Sequence, residues 1–198
     1  MSIASMQNSE LKTRNSELFM LWLHIMLRKP ATLTAISDGE GLIQEIRGQY
    51  VLNWYGVHGW DHWMKVHDTG LLLARENGAD HRVIELFALL HDSCRRNDSR
   101  DPEHGPRAAE FARSLSGRFF KLEDTAMRIL CSAIQDHTSG YVHEDPTICV
   151  CWDADRLDLP RVGIPTHADY LGTQAAKRIL NERLKSGVEE KKGLKFDV

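Results

Sequence analysis

The chain has 198 residues, 42% of them hydrophobic and 27% charged, with a formal net charge of −3 at pH 7. That length supports one domain with a substantial core, and the composition is that of an ordinary soluble globular protein. The weak negative charge offers no general attraction for nucleic acid or an anionic membrane, and Cys94, Cys131, Cys149 and Cys151 lack the density of a secreted disulfide framework, so a cytoplasmic protein with reduced thiols is expected.

Helical periodicity recurs along the chain, without an internal repeat or a convincing strand alternation, so an all-α fold is predicted. Residues 9–27 form a first amphipathic segment. Its stretch 18–27 is apolar except for His24 but falls short of the roughly 20 residues needed to span a bilayer. The sequence Arg28-Lys29-Pro30 stands where a signal peptide would carry a small-residue cleavage site, so a helix covering the core or a partner is expected instead. A Gly-containing connection follows at 37–41, then a short helix over 42–50.

From 59 to 76, His62, Val66, Thr69, Gly70 and Leu73 share one helical face, with Gly78 placed to end the helix. Asp80 is a good N-cap for the next helix, whose stripe Ile84, Phe87 and Ala88 runs on to His91, followed by Asp92. Asp101-Pro102 reads as N-cap and first residue of a further helix with the stripe His104, Ala108, Phe111, Ala112 and Leu115. After Lys121 comes Ala126, Ile129, Leu130, Ala133, Ile134 and His137, stopped at Gly140. Asp145-Pro146 opens another helix whose stripe Ile148, Cys151 and Trp152 ends at Asp155, before Pro160. Asp153 lies about 200° round that helix from Asp155, towards solvent or a supporting role. A last helix is expected over 173–185. The expected division is an N-terminal helical extension at 1–50, a metal-binding helical domain at 51–172, and a C-terminal helix and tail at 173–198.

Five predicted helices thus bring His62, His91 with Asp92, His104, His137 and Asp155 to inward faces. A single buried histidine is ordinarily a hydrogen-bonded core residue, but convergence of these side chains points to a bound cation. Nitrogen and oxygen donors without cysteine suit manganese, iron, cobalt, nickel, zinc or magnesium, and the sequence does not choose among them. His62, His91, Asp92 and Asp155 are the candidate ligands of one ion and leave positions open for water or substrate. His104 and His137 could hold a second ion or contact phosphate, so one or two ions per chain are expected. Arg95 and Arg96 suit phosphate oxygens, and Lys65 either attracts phosphate or pairs with a carboxylate. His58 is a candidate pocket wall or proton donor. His67, His81, His143 and His167 fit no converging face and are expected at the surface or in loops, while Trp60 and Trp63 are expected to pack the core beside His62.

The motifs His58-Gly59-Trp60-Asp61-His62-Trp63-Met64-Lys65-Val66, Leu89-Leu90-His91-Asp92 and Asp153-Ala154-Asp155-Arg156-Leu157-Asp158 resemble, in order, those of the HD-domain superfamily of metal-dependent phosphohydrolases. The resemblance covers about residues 56–172 and implies a helical bundle that hydrolyses a small phosphorylated metabolite, a nucleotide above all, by attack of metal-activated water. It implies a catalytic role for Asp92, as bridge between ions or proton acceptor, with His58 as donor to the leaving group. Two alternatives stay open: a di-iron oxygenase on the same fold, and a non-catalytic sensor that binds metal or nucleotide. The expected partner is the small phosphorylated substrate, without nucleic acid or membrane, and a homo-oligomer is compatible with the sequence.

Overall fold

The computed structural model describes residues 36–193, with side chains to 186. The predicted helix over 9–27 lies outside the described residues. The described backbone is helical: α1 (Gly39–Gln49), α2 (Trp60–Ala74), α3 (His81–Leu90), α4 (His104–Leu115), α5 (Asp124–Asp136), α6 (Pro146–Arg156) and α7 (Gln174–Gly193), with short 3-10 turns at Leu159–Val162 and Ala168–Tyr170. Two isolated bridges, Ile36 to Phe120 and Ser116 to Phe120, are the β pairing among the described residues. None of the described helices is long and apolar enough to cross a membrane.

Helix α3 is the centre of the bundle and packs against α2, α4, α5 and α6. Its residues Val83 to Leu90 are all buried, Glu85 included, because neighbouring helices cover it on every side. Asp80 caps it as predicted, accepting from the Arg82 N–H. Asp145 caps α6 through the Thr147 and Ile148 N–H groups, and the Trp152 Nε1–H donates to the Ala133 carbonyl, tying α6 to α5. Gly78 takes the left-handed φ of +70° that its place after α2 requires.

Helix α1 starts earlier than the sequence suggested, because the Asp38 carboxylate accepts from the Gly41 N–H and draws Gly39–Gly41 into the first turn. Its Leu42, Ile43 and Ile46 join the common core. The Asp101 cap is also corrected. Helix α4 begins only at His104, since the Asp101 carboxylate is taken by Arg107 and by the Arg96 N–H. Ala109 is buried on α4 while Phe111 and Ile129 are only half-buried.

Two glycines bring the helices close enough for the site to form. A methyl on Gly70 would lie 2.6 Å from Ile84 Cγ2, so α2 and α3 meet there at a separation only glycine allows. On Gly105 it would lie 2.5 Å from the Gln135 carbonyl oxygen, which seats the start of α4 on the end of α5. Gly105→Ala is therefore expected to cost about 1–3 kcal/mol of stability and to separate His104 from His137. Urea unfolding with metal stoichiometry on the same protein checks both effects.

Candidate metal centre

The C-terminal ends of α3, α5 and α6 and the N-terminal ends of α2 and α4 meet at one end of the bundle. His91 is the residue that closes α3 and His137 the one that closes α5; His62 lies in the first turn of α2, His104 opens α4, and Asp155 is in the last turn of α6. The partial negative charges of three helix C-termini outnumber the partial positive charges of two N-termini there, a balance that slightly favours a cation.

The six side chains form two clusters joined by Asp92. In the first, His62 Nε2 lies 3.1 Å from His91 Nε2 and 3.3 Å from Asp155 Oδ1, and both histidines are 3.8 Å from Asp92 Oδ2. In the second, Asp92 Oδ1 lies 3.1 Å from His104 Nε2 and 3.6 Å from His137 Nε2, with the two imidazole nitrogens 2.9 Å apart. Adjacent donors around an ion bound at about 2.1 Å stand roughly 3 Å apart, so both clusters have the right dimensions. All six residues are at least nine-tenths buried.

The hydrogen bonds of the other ring nitrogens set the chemistry of these donors. Nδ1–H of His91 donates to the Phe87 and Ala88 carbonyls, that of His104 to the Asp101 carbonyl and that of His137 to the Ile134 carbonyl. His62 Nδ1–H donates to Asp158 Oδ2 at 2.9 Å. A carbonyl or carboxylate oxygen only accepts, so each Nδ1 keeps its proton and each neutral ring presents a bare Nε2 lone pair. Two pairs of lone pairs then face each other at 3.1 and 2.9 Å. Such an arrangement repels unless a cation lies between the nitrogens.

The protonation balance agrees. Burial opposes charge on His62, but its hydrogen bonds with Asp155 and Asp158 outweigh that and raise its pKa, whereas complete burial takes its neighbour His91 down to about 3. Burial likewise opposes charge on His137, and the Asp92 carboxylate overcomes it and raises the pKa. Burial alone would raise Asp92 and Asp155, yet the surrounding histidines hold both carboxyls well below the usual range. The donors fit a divalent ion of the nitrogen- and oxygen-preferring group in each cluster.

The remaining sequence candidates separate. His58 is buried, with its Nδ1 2.9 Å from Asp92 Oδ2, and so aligns that carboxylate. Arg95 is buried with its Nη1 3.7 Å from Asp92 Oδ1 and its Nη2–H donating to the Ser99 carbonyl. The Arg96 side chain is exposed. Lys65 is largely exposed, its Nζ 3.8 Å from Asp158, the ion pair that was one of its two expected roles. Trp60 and Trp63 are buried in an aromatic group with Trp54 and Tyr50. His67, expected at the surface, is instead buried and pairs with Asp68, because the far side of α2 is also covered. Asp153 is fully buried rather than solvated, and accepts from the N–H groups of Gly172 and Thr173 and from the Thr173 hydroxyl.

Sequence periodicity missed Asp158 and Arg161, which lie beyond the end of α6. Asp158 orients His62, and Arg161 donates to the Val57 and Asp158 carbonyls while its Nη2 lies 3.4 Å from His58 Nδ1. Asp158 was legible only as an acid three residues after Asp155. A carboxylate behind a metal-binding histidine raises its basicity and fixes its ring, so Asp158→Asn is expected to lower metal affinity about tenfold in competition with a chelator, with little change in fold.

No protein-family model matches the chain, and no curated protein matches it. Among solved structures, a predicted HD superfamily hydrolase from an uncultured Thermotogales bacterium superposes with a TM-score of 0.63 at 20% identity, over 86% of this chain and 94% of that one. An HD-superfamily hydrolase from Bacillus thuringiensis superposes with a TM-score of 0.50 at 18% identity, over 79% and 97%. With the helix order and the His/Asp clusters described above, these likenesses establish that the chain has the all-helical fold of the HD superfamily.

Proposed function

We propose that the chain is a metal-dependent phosphohydrolase acting on a small phosphorylated metabolite, with a nucleotide as the substrate class. The observation that carries this reading is the Asp92 carboxylate, which turns one oxygen to each of two clusters of bare imidazole nitrogens. On a six-coordinate ion, four protein donors in one cluster and three in the other leave coordination positions free, as a catalytic rather than a structural site requires. A divalent ion there supplies Lewis acidity, activates water and offsets phosphoryl charge. His58 holds Asp92 in place through Nδ1 and, with Asp92, handles the proton that passes to the leaving group. Arg95 adds a fixed positive charge beside the second cluster.

The test is phosphate release from mononucleotides, dinucleotides and alarmones, with manganese, cobalt, nickel, iron, zinc or magnesium supplied in turn. Release from at least one is expected, and release from none overturns the reading. Bound iron with oxygen uptake and no phosphate release would establish the oxygenase alternative, and tight metal binding without any turnover the sensor.

A further inference from the structure

Two cavities adjoin at the end of α5 and share Thr138 and Ser139, the residues that follow His137. The first, about 350 Å³, reaches His104 and is lined also by Arg95, Arg100 and Gln135. Arg95 is buried, and its five N–H donors are incompletely used: the contact with Asp92 is beyond hydrogen-bond distance at 3.7 Å, and Nε has no partner at all. Of the two carboxylates on the wall, Asp101 is committed to Arg107 and the Arg96 N–H, which leaves Asp136 against Arg95 and Arg100. A buried guanidinium with spare donors is unfavourable unless an anion completes it.

The second cavity, about 540 Å³, has a different wall: Tyr141, Tyr170, Ile164 and Pro165, with Arg156 at its base. Tyr141, Tyr170 and Ile164 are about half-exposed, an unusual concentration of apolar surface around one opening. The tyrosine rings meet edge to face with centroids 5.1 Å apart. Both are held from below, because the Arg156 guanidinium donates to the Gly140, Tyr141 and Tyr170 carbonyls. Arg156 directly follows Asp155, so the tyrosine platform is fixed to the same helix end as the first cluster.

Building on the hydrolase reading, we infer that the substrate lies across Thr138 and Ser139, with its phosphate against Arg95 and Arg100 beside His104 and a flat aromatic group, such as a nucleobase, stacked on the Tyr170 ring with Tyr141 at its edge. The two ends of the site thereby select a phosphoester that carries an aromatic group over the phosphate of a sugar without one.

The experiment measures binding of the two product halves, so it needs no turnover: calorimetry of inorganic phosphate, adenosine and ribose with the manganese-loaded full chain. Phosphate affinity is expected to fall about tenfold or more in Arg95→Gln and about threefold in Arg100→Gln, with adenosine unaffected. Adenosine is expected to bind where ribose does not, and to weaken about tenfold in Tyr170→Ala with phosphate unaffected. Arg100 is exposed, so its variant carries the anion test if Arg95→Gln does not fold. Phosphate affinity unchanged in both arginine variants, or adenosine binding no tighter than ribose, overturns the inference. Binding as described without hydrolysis of any nucleotide overturns the hydrolase reading and leaves this one standing.

Discussion

Asp92→Ala is expected to empty both metal clusters at once, whereas His91→Ala depletes the first and His104→Ala the second. The difference follows from where the two carboxylate oxygens point: Oδ2 lies 3.8 Å from His62 and His91, and Oδ1 lies 3.1 Å from His104 and 3.6 Å from His137. Removing the side chain also strips His58 of its hydrogen-bond acceptor and Arg95 of its nearest anion. Loss of Lewis acidity and of charge neutralisation together places the fall in phosphate release at about a thousandfold or more. Metal content by mass spectrometry, alongside circular dichroism to establish folding, separates loss of the ions from loss of the protein. Wild-type metal stoichiometry in a folded Asp92→Ala protein would show that Asp92 does not join the clusters.

The single-cluster variants also order the two sites. If the second cluster chiefly stabilises charge on the phosphoryl group, His104→Ala retains one ion and loses rate without losing fold. Gly105→Ala is expected to deplete the same cluster by another route and with a loss of stability, since a methyl group there pushes α4 off the Gln135 carbonyl.

The ligands were legible because each occupies a phase of a helical stripe. His62, His91, His137 and Asp155 continue apolar rows at 3.6-residue spacing, so the direction of each side chain followed from its neighbours. Two supporting residues were not legible, because Asp158 and Arg161 lie in a connection whose path depends on tertiary contacts rather than on period, whereas His58 was singled out though its bond to Asp92 was not. The Asp101 error has the same origin: its carboxylate was free to cap a helix by local rules, but Arg107, one turn into α4, and the Arg96 N–H compete for it. Asp153 and His67 show what a helical wheel leaves out. Both do point away from the clusters, yet in each case other parts of the chain cover that side, and the wheel gives direction without saying what lies there.

Protons and metal compete for the same imidazole nitrogens, so the metal-free and metal-loaded proteins are expected to respond oppositely to pH. His62 and His137 have folded-state pKa values raised above about 6.5, the value in the unfolded chain. Each therefore contributes stability that is complete below that pH and is lost as pH rises through the folded-state value. His91 acts on the other side: with a folded pKa of about 3, it loses stability only as pH falls below about 6.5. Asp92 and Asp155 are depressed, so their contributions are lost only in acid and stay constant above neutrality. The metal-free protein should be most stable near pH 6.5 and weaken towards pH 8. Over the same interval the ligands become easier to deprotonate, metal affinity rises and the loaded protein gains. Thermal unfolding in chelator and in manganese, at pH 6.5 and pH 8, should show a metal-induced rise in Tm that widens with pH. In Asp92→Ala the carboxylate that raises His137 is gone, so the alkaline weakening of the metal-free protein should shrink. A metal-free Tm that climbs from pH 6.5 to 8, or a metal effect that narrows, would mean that metal does not compete with protons at His62 and His137.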